Sequence, residues 1–117
     1  MTFLKNIPLA VLLFPSIAYC GAHNCVPDEV GQIDSRIHIR CENTVQDGGN
    51  TISYFAVSTV GSDDEPAISN RFLSVGMTGL TAGKSVVIIF DDGDTSGATF
   101  GCGPSNCRKA RAFFLAK

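Results

Sequence analysis

The chain has 117 residues, of which 44% are hydrophobic and 17% charged, with a formal net charge of −2. That length holds one domain and excludes a large multi-domain enzyme. The low charge, together with 12 Gly and 5 Cys, excludes a disordered chain, and the slight acidity excludes an electrostatic nucleic-acid binder.

Residues 1–20 read as an address rather than as part of the fold. Lys5 gives a single positive charge, and an apolar run interrupted by Pro8 and Pro15 follows it. The run is shorter than the roughly 20 residues needed to span a bilayer. Small residues then close the segment, which is the pattern of a secretory signal peptide. Ala18, Tyr19 and Cys20 place cleavage before Gly21, with cleavage after Ala22 as the alternative. A lipid anchor on Cys20 is disfavoured by bulky Tyr19 beside it. The mature chain, residues 21–117, is expected to be a single secreted or periplasmic domain with no transmembrane segment. It carries 8 basic and 11 acidic residues once Lys5 is removed, a net charge of −3.

Residues 33–41 alternate, with Ile33, Ile37, Ile39 and Cys41 on one face and Asp34, Arg36, His38 and Arg40 on the other. This predicts a half-buried strand. Asp47, Gly48, Gly49 and Asn50 form a turn, and residues 51–60 form a second strand of an antiparallel hairpin. Residues 61–66 are acidic and suit the positive N-terminus of a helix. A helix is predicted over 67–82, with Ile68, Phe72, Val75 or Met77, and Leu80 near one face and Gly83 as its C-cap. Gly76 and Gly79 weaken that helix locally but allow it to approach a sheet closely. Residues 85–90 form a β-branched run and read as a buried strand. A polar loop spans 91–97, a short strand 98–100, and a last strand 110–115. The predicted fold is α+β and mostly β: a small, disulfide-stapled OB-like curved sheet or barrel with one helix, in the order β-β-α-β-β.

Cys25, Cys41, Cys102 and Cys107 remain after signal removal, an even number suited to disulfides in an oxidising compartment. Three pairings are possible. Short separations favour 25–41 with 102–107, because short loops close at least entropic cost. Zinc is disfavoured, since no second cysteine pair exists and His23 and His38 lie far apart in sequence. No metal or cofactor is expected. Asp91, Asp92 and Asp94 lack the distant acidic ligand of an EF-hand, and Asp94-Thr95-Ser96-Gly97 is a poor aspartic-protease loop. There is no G-x-S-x-G elbow and no free thiol, so the chain reads as a non-enzyme. The alternation instead singles out Arg36, His38 and Arg40. Three donors on one exposed strand face suit an acidic glycan or carboxylate, with pH sensitivity arising from the histidine.

With these elements placed, the chain resembles the B subunits of bacterial AB5 toxins, most nearly the subtilase cytotoxin B subunit and its pertussis-like relatives. The likeness runs from Gly31 to Asp92. Its carriers are the strand of residues 36–41, the strand of residues 50–54, and the helix–Gly83–strand passage of residues 80–90. The chain departs from that pattern at Phe55 or Ala56, where the relatives carry a cysteine. It departs again in its Cys102/Cys107 loop and its basic Arg108, Lys109 and Arg111. The resemblance implies a non-catalytic homo-oligomer that binds glycan or a cell surface. The alternative is a small secreted inhibitor of a partner such as a hydrolase, inserting the cysteine loop or residues 91–97 into a cleft.

Overall fold

Glycine and aspartate at tight turns set the first half of the fold. In the computed structural model, which describes residues 20–60 and 66–117, the chain order is β1 (Cys20–Cys25), β2 (Pro27–Ile33), β3 (Arg36–Asp47) and β4 (Asn50–Ser58). Helix α1 (Pro66–Ala82) is followed by β5 (Val86–Asp91), a 3-10 helix (Ser96–Phe100), β6 (Cys107–Lys109) and β7 (Ala112–Leu115). The expected signal peptide, except for the backbone of Cys20, and the acidic residues 61–65 lie outside the described residues. Gly48 adopts φ 65° between β3 and β4, the left-handed conformation a two-residue hairpin turn requires.

The strands divide into two sheets, ordered β1-β5-β7 and β2-β3-β4-β6, and neither closes on itself. The domain is therefore α+β and mostly strand, with one α-helix among the described residues. All neighbours are antiparallel except β6, which runs parallel to β4 with Tyr54 opposite Cys107. The chain changes sheets at Ala110 and Arg111, whose amides donate to the carbonyls of Ala56 and Ile89 respectively.

The core lies where the sheets and α1 meet. Ile37, Ile39, Phe55 and Val57 come from the larger sheet, Val86, Ile88 and Phe90 from the smaller, and Phe72 from the helix. Full burial of each such side chain is worth roughly 1.5–3 kcal/mol. The rings of Phe55 and Phe90 join the sheets at 5.3 Å, and those of Phe72 and Phe113 join helix to β7 at 4.9 Å. Both favoured disulfides are present, Cys25–Cys41 and Cys102–Cys107.

Several expectations are corrected. Ile33 ends β2 rather than beginning the strand of Ile37, because Asp34 at φ 52° turns the chain, and Ile33 is left 46% exposed. The hairpin strand β3 runs on to Asp47, through a register shift between Arg40 and Val45. Two further strands, β1 and β2, precede the predicted ones. The helix buries Ser69, Phe72, Gly76 and Gly79, while Ile68, Met77 and Leu80 face outward. The glycines decide this rotation: a Cβ at Gly76 would lie 2.8 Å from Ile39 Cδ1, so a side chain there would hold the helix off the sheet. Gly83 does cap the helix, at φ 67°, with the Lys84 amide donating to the Gly79 carbonyl as in a Schellman motif.

Residues 98–100 belong to the 3-10 helix and not to a strand. The Asp94 carboxylate accepts from the Ser96 amide, and the Cys102 amide donates back to the Gly97 carbonyl. Those bonds coil the segment before it can extend. The predicted last strand is divided: Ala110 lies between β6 and β7, at the change of sheet.

Candidate binding groove on the outer sheet face

Strand alternation sends Ile37, Ile39 and Cys41 into the core, so Arg36, His38 and Arg40 leave β3 on the opposite face. That face is not bare. The 3-10 helix and the Cys102–Cys107 loop fold over it, and Ala56, Phe100, Cys102 and Cys107 form a second small apolar cluster with Tyr54 packed against it. Between this cover and strands β2 and β3 lies a cavity of about 440 Å³, lined by Glu29, Arg36, His38, Tyr54, Gly101 and Asn106 among others.

The expected trio is thus separated. Arg36 and His38 line the cavity, whereas Arg40 is engaged outside it, its Nε donating to Asp28 Oδ1 at 2.7 Å. Asp28, and after it Tyr54, hold the Arg40 guanidinium more firmly in its charged form than usual. The expectation of an exposed His38 is corrected: it is only 4% exposed. Glu29 of β2, Tyr54 of β4 and the cysteine loop cover it, because β2 pairs alongside β3 where the sequence reading placed solvent. Its Nε2 lies 3.2 Å from Glu29 Oε1, and its ring meets that of Tyr54 edge-on at 5.3 Å. The Nδ1 atom of His38 is buried and has no hydrogen-bond partner among the described residues. A carboxylate only accepts, so the contact with Glu29 places a proton on Nε2.

Arg36 has no ion-pair partner among the described residues. Its guanidinium lies against Gly101, which has φ 94° and where any Cβ would collide with Arg36 Nη1. Glycine therefore serves that position twice, by its backbone conformation and by its absent side chain.

The loop wall is held from beneath. The Asn106 carbonyl accepts from the Ser53 and Tyr54 amides, so the cysteine loop lies on β4 instead of projecting. Arg108, 2% exposed, donates from Nη1 to the Pro104 and Cys107 carbonyls and from Nε to Asp47 Oδ2 at 2.5 Å. Asp47 Oδ2 also accepts from the Gly93 amide at 2.8 Å, which joins the β3–β4 turn, the turn after β5 and the cysteine loop. Burial by itself would raise the Asp47 carboxyl, but the Arg108 hydrogen bond, the Gly93 amide and the Arg108 charge together hold it below the ordinary carboxylate range. Asp94 is also held low, chiefly by hydrogen bonds from Ser96.

A second cleft of about 380 Å³ lies on the other side of the cover, lined by Ser58, Thr99 and Lys109 among others. Two of its hydroxyls are already used, Ser58 donating to the Val60 carbonyl and Thr99 to the Ser96 carbonyl. Each cleft thus holds a cation without an ion-pair partner among the described residues, Arg36 in the first and Lys109 in the second, and the first adds the rings of His38 and Tyr54.

Glu29, Tyr54, Gly101 and Asn106 were not singled out from sequence. Residues 28–33 carry no apolar–polar alternation, so no local signal announced β2 and its Glu29. Nothing local announces Asn106, which reaches the groove through the parallel β4–β6 pairing. No protein-family model matches the chain, and no curated protein does. No helix among the described residues is long and apolar enough to cross a membrane.

Proposed function

We propose that the protein is a secreted, non-catalytic binding module that holds a glycan, or the glycan of a cell-surface receptor, in the groove between β3 and the cysteine loop. One observation carries the reading: a ligand-sized cavity whose walls are fixed by a disulfide and a buried ion pair, and whose lining includes Arg36, a guanidinium with no ion-pair partner among the described residues. Rigid walls lower the ordering cost of binding, and a few placed polar groups give orientation. The likeness to AB5 toxin B subunits, with their OB-like fold and assembly, agrees with this reading and adds homo-oligomerisation to it. Met77, Leu80, Phe114 and Leu115 are exposed apolar side chains. Signal-peptide cleavage before Gly21 delivers the chain to the periplasm or beyond, where both disulfides form.

The test is a glycan array probed in parallel with the mature protein and its Arg36→Leu variant. The reading expects a restricted set of glycans bound by the parent and lost by the variant. An empty array, or identical profiles for the two proteins, would contradict it.

A further inference from the structure

We propose that proteolytic maturation builds an ion pair into the fold: hydrolysis of the Cys20–Gly21 bond leaves an α-ammonium on Gly21, and that ammonium docks on the carboxylate of Asp92. This rests on the export reading above, in which the signal peptide leaves before Gly21, and adds what the new terminus then does. The peptidase of the export route and one water break the bond, and the departing Cys20 takes the carboxylate.

Strand β1 starts at the cleavage point, with Cys20 opposite Asp91 and Gly21 opposite Phe90. A Cβ on Gly21 would lie 2.5 Å from Phe90 Cζ and 2.9 Å from Asp92 Oδ1, so only glycine fits against the ring and the carboxylate. The amino nitrogen hangs on the same Cα, roughly 2.5 Å from that Cβ position. It therefore lies within ion-pair reach of Asp92, whose exposed side chain has no ion-pair partner among the described residues. The neighbouring acids are engaged: Asp91 pairs with Arg111 at 3.2 Å, Asp47 with Arg108, and Asp94 accepts from the Ser96 amide. Before cleavage the same nitrogen is a neutral amide and offers Asp92 no charge. A start at His23 would carry the ammonium two residues along β1, opposite Ile88 and roughly 7 Å further from Asp92.

The pair bears on the groove through one turn. The Asp94 amide donates to the Asp91 carbonyl and closes the turn that carries Asp92 and Gly93. The Gly93 amide donates to Asp47 Oδ2, which also takes Arg108 Nε, and Arg108 Nη1 holds the Pro104 and Cys107 carbonyls of the groove wall. Maturation thus anchors the far end of the network that fixes the cysteine loop. An opposite charge favours the protonated amine, so the Gly21 α-amine titrates above its ordinary range while Asp92 is ionised. Salt screens a pair this exposed, so the rise shrinks at about 1 M salt, where the Debye length is about 3 Å.

The experiment starts with the intact mass of the exported protein, which should begin at Gly21. A chain beginning elsewhere overturns both the cleavage reading and the ion pair. The α-amine of the mature chain, isotope-labelled at glycine, is then titrated through the Gly21 Cα resonance. Its midpoint should lie about half a unit to one unit above the ordinary amine value of about 7.7–8.0. Asp92→Ala should return it to the ordinary range, and about 1 M salt should remove most of the rise. One extra alanine before Gly21 moves the ammonium off Asp92, and the backbone amide shifts that follow should reach Asp92, Gly93 and Asp47. A Gly21 start with an ordinary amine, or a raised amine that Asp92→Ala leaves raised, would overturn the ion pair while leaving export and the binding module intact. Shifts confined to β1 in the extended chain would overturn its link to the groove scaffold. Glycan binding is read separately on the array, so its failure and the failure of the ion pair are distinguishable.

Discussion

Asp47 is the single residue on which most of the groove's scaffold depends. Its partner Arg108 is fully enclosed, and removing one member of a buried pair leaves the other charge uncompensated. Asp47→Asn is expected to cost about 3–5 kcal/mol of unfolding free energy, measured by urea denaturation at neutral pH. The carboxyl is held low in the folded state and ordinary in the unfolded one, so its contribution is present above the unfolded value and lost as pH falls through the folded one. The parent should therefore lose stability below about pH 4, the usual carboxylate range, and part of that loss should be missing from Asp47→Asn. Matching acid profiles for the two proteins would contradict this role. Gly79 makes a different demand. A Cβ there would meet Val86 Cγ2 at 2.9 Å and the Lys84 carbonyl at 3.0 Å, and the second of these is backbone. Alanine at Gly79 gains about 1 kcal/mol in helix propensity but loses more to overpacking, typically about 1–3 kcal/mol. Calorimetry should show a lowered melting temperature.

Among the elements, those with a strong local pattern were legible. The Ile37, Ile39, Cys41 alternation predicts the inner face of β3, and the Val86, Ile88, Phe90 face follows from a β-branched run. Both disulfide pairings follow from short separations. The helix was legible in extent and only partly in rotation: hydrophobicity rightly placed Phe72 on the buried face, but it also favoured Ile68, Met77 and Leu80, whereas steric fit selected Gly76 and Gly79 beside Phe72. Strands β1 and β2 were missed for compositional reasons: His23, Asn24, Pro27, Asp28 and Glu29 resemble a loop, and their strand character comes from pairing with β5 and β3. The groove was half legible. Arg36 and His38 were read from periodicity, but their roof comes from residues 96–107, whose placement depends on a parallel pairing remote in sequence. The two disulfides also differ in weight. Cys25–Cys41 closes 16 residues of separation and Cys102–Cys107 only 5. Loop-closure entropy gives about 3 kcal/mol for the first and about 2 for the second. Replacing Cys102 and Cys107 together by serine should then cost less stability than replacing Cys25 and Cys41, yet weaken ligand binding more. Denaturation and array signal on the same two double variants check both halves of that statement.

At the scale of the whole molecule, two open sheets share one core, and the groove lies outside it. Binding there leaves the hydrophobic contacts of β5 and Phe72 untouched, so variants at Arg36 should keep the parent's melting temperature within about 2–4 °C, since surface changes typically stay within about 0.5 kcal/mol. Assembly is a separate matter, read by light scattering on the mature chain: a closed ring or dimer supports the homo-oligomer, and a monomer removes it without touching the groove. The central claim concerns where ligand sits. It is tested most directly by mapping backbone amide shifts of the isotope-labelled protein as the best array ligand is added. The account predicts shifts clustered at Glu29, Arg36, His38, Tyr54 and residues 101–107. Shifts confined to β1, β5 and β7, with the groove unchanged, would contradict it.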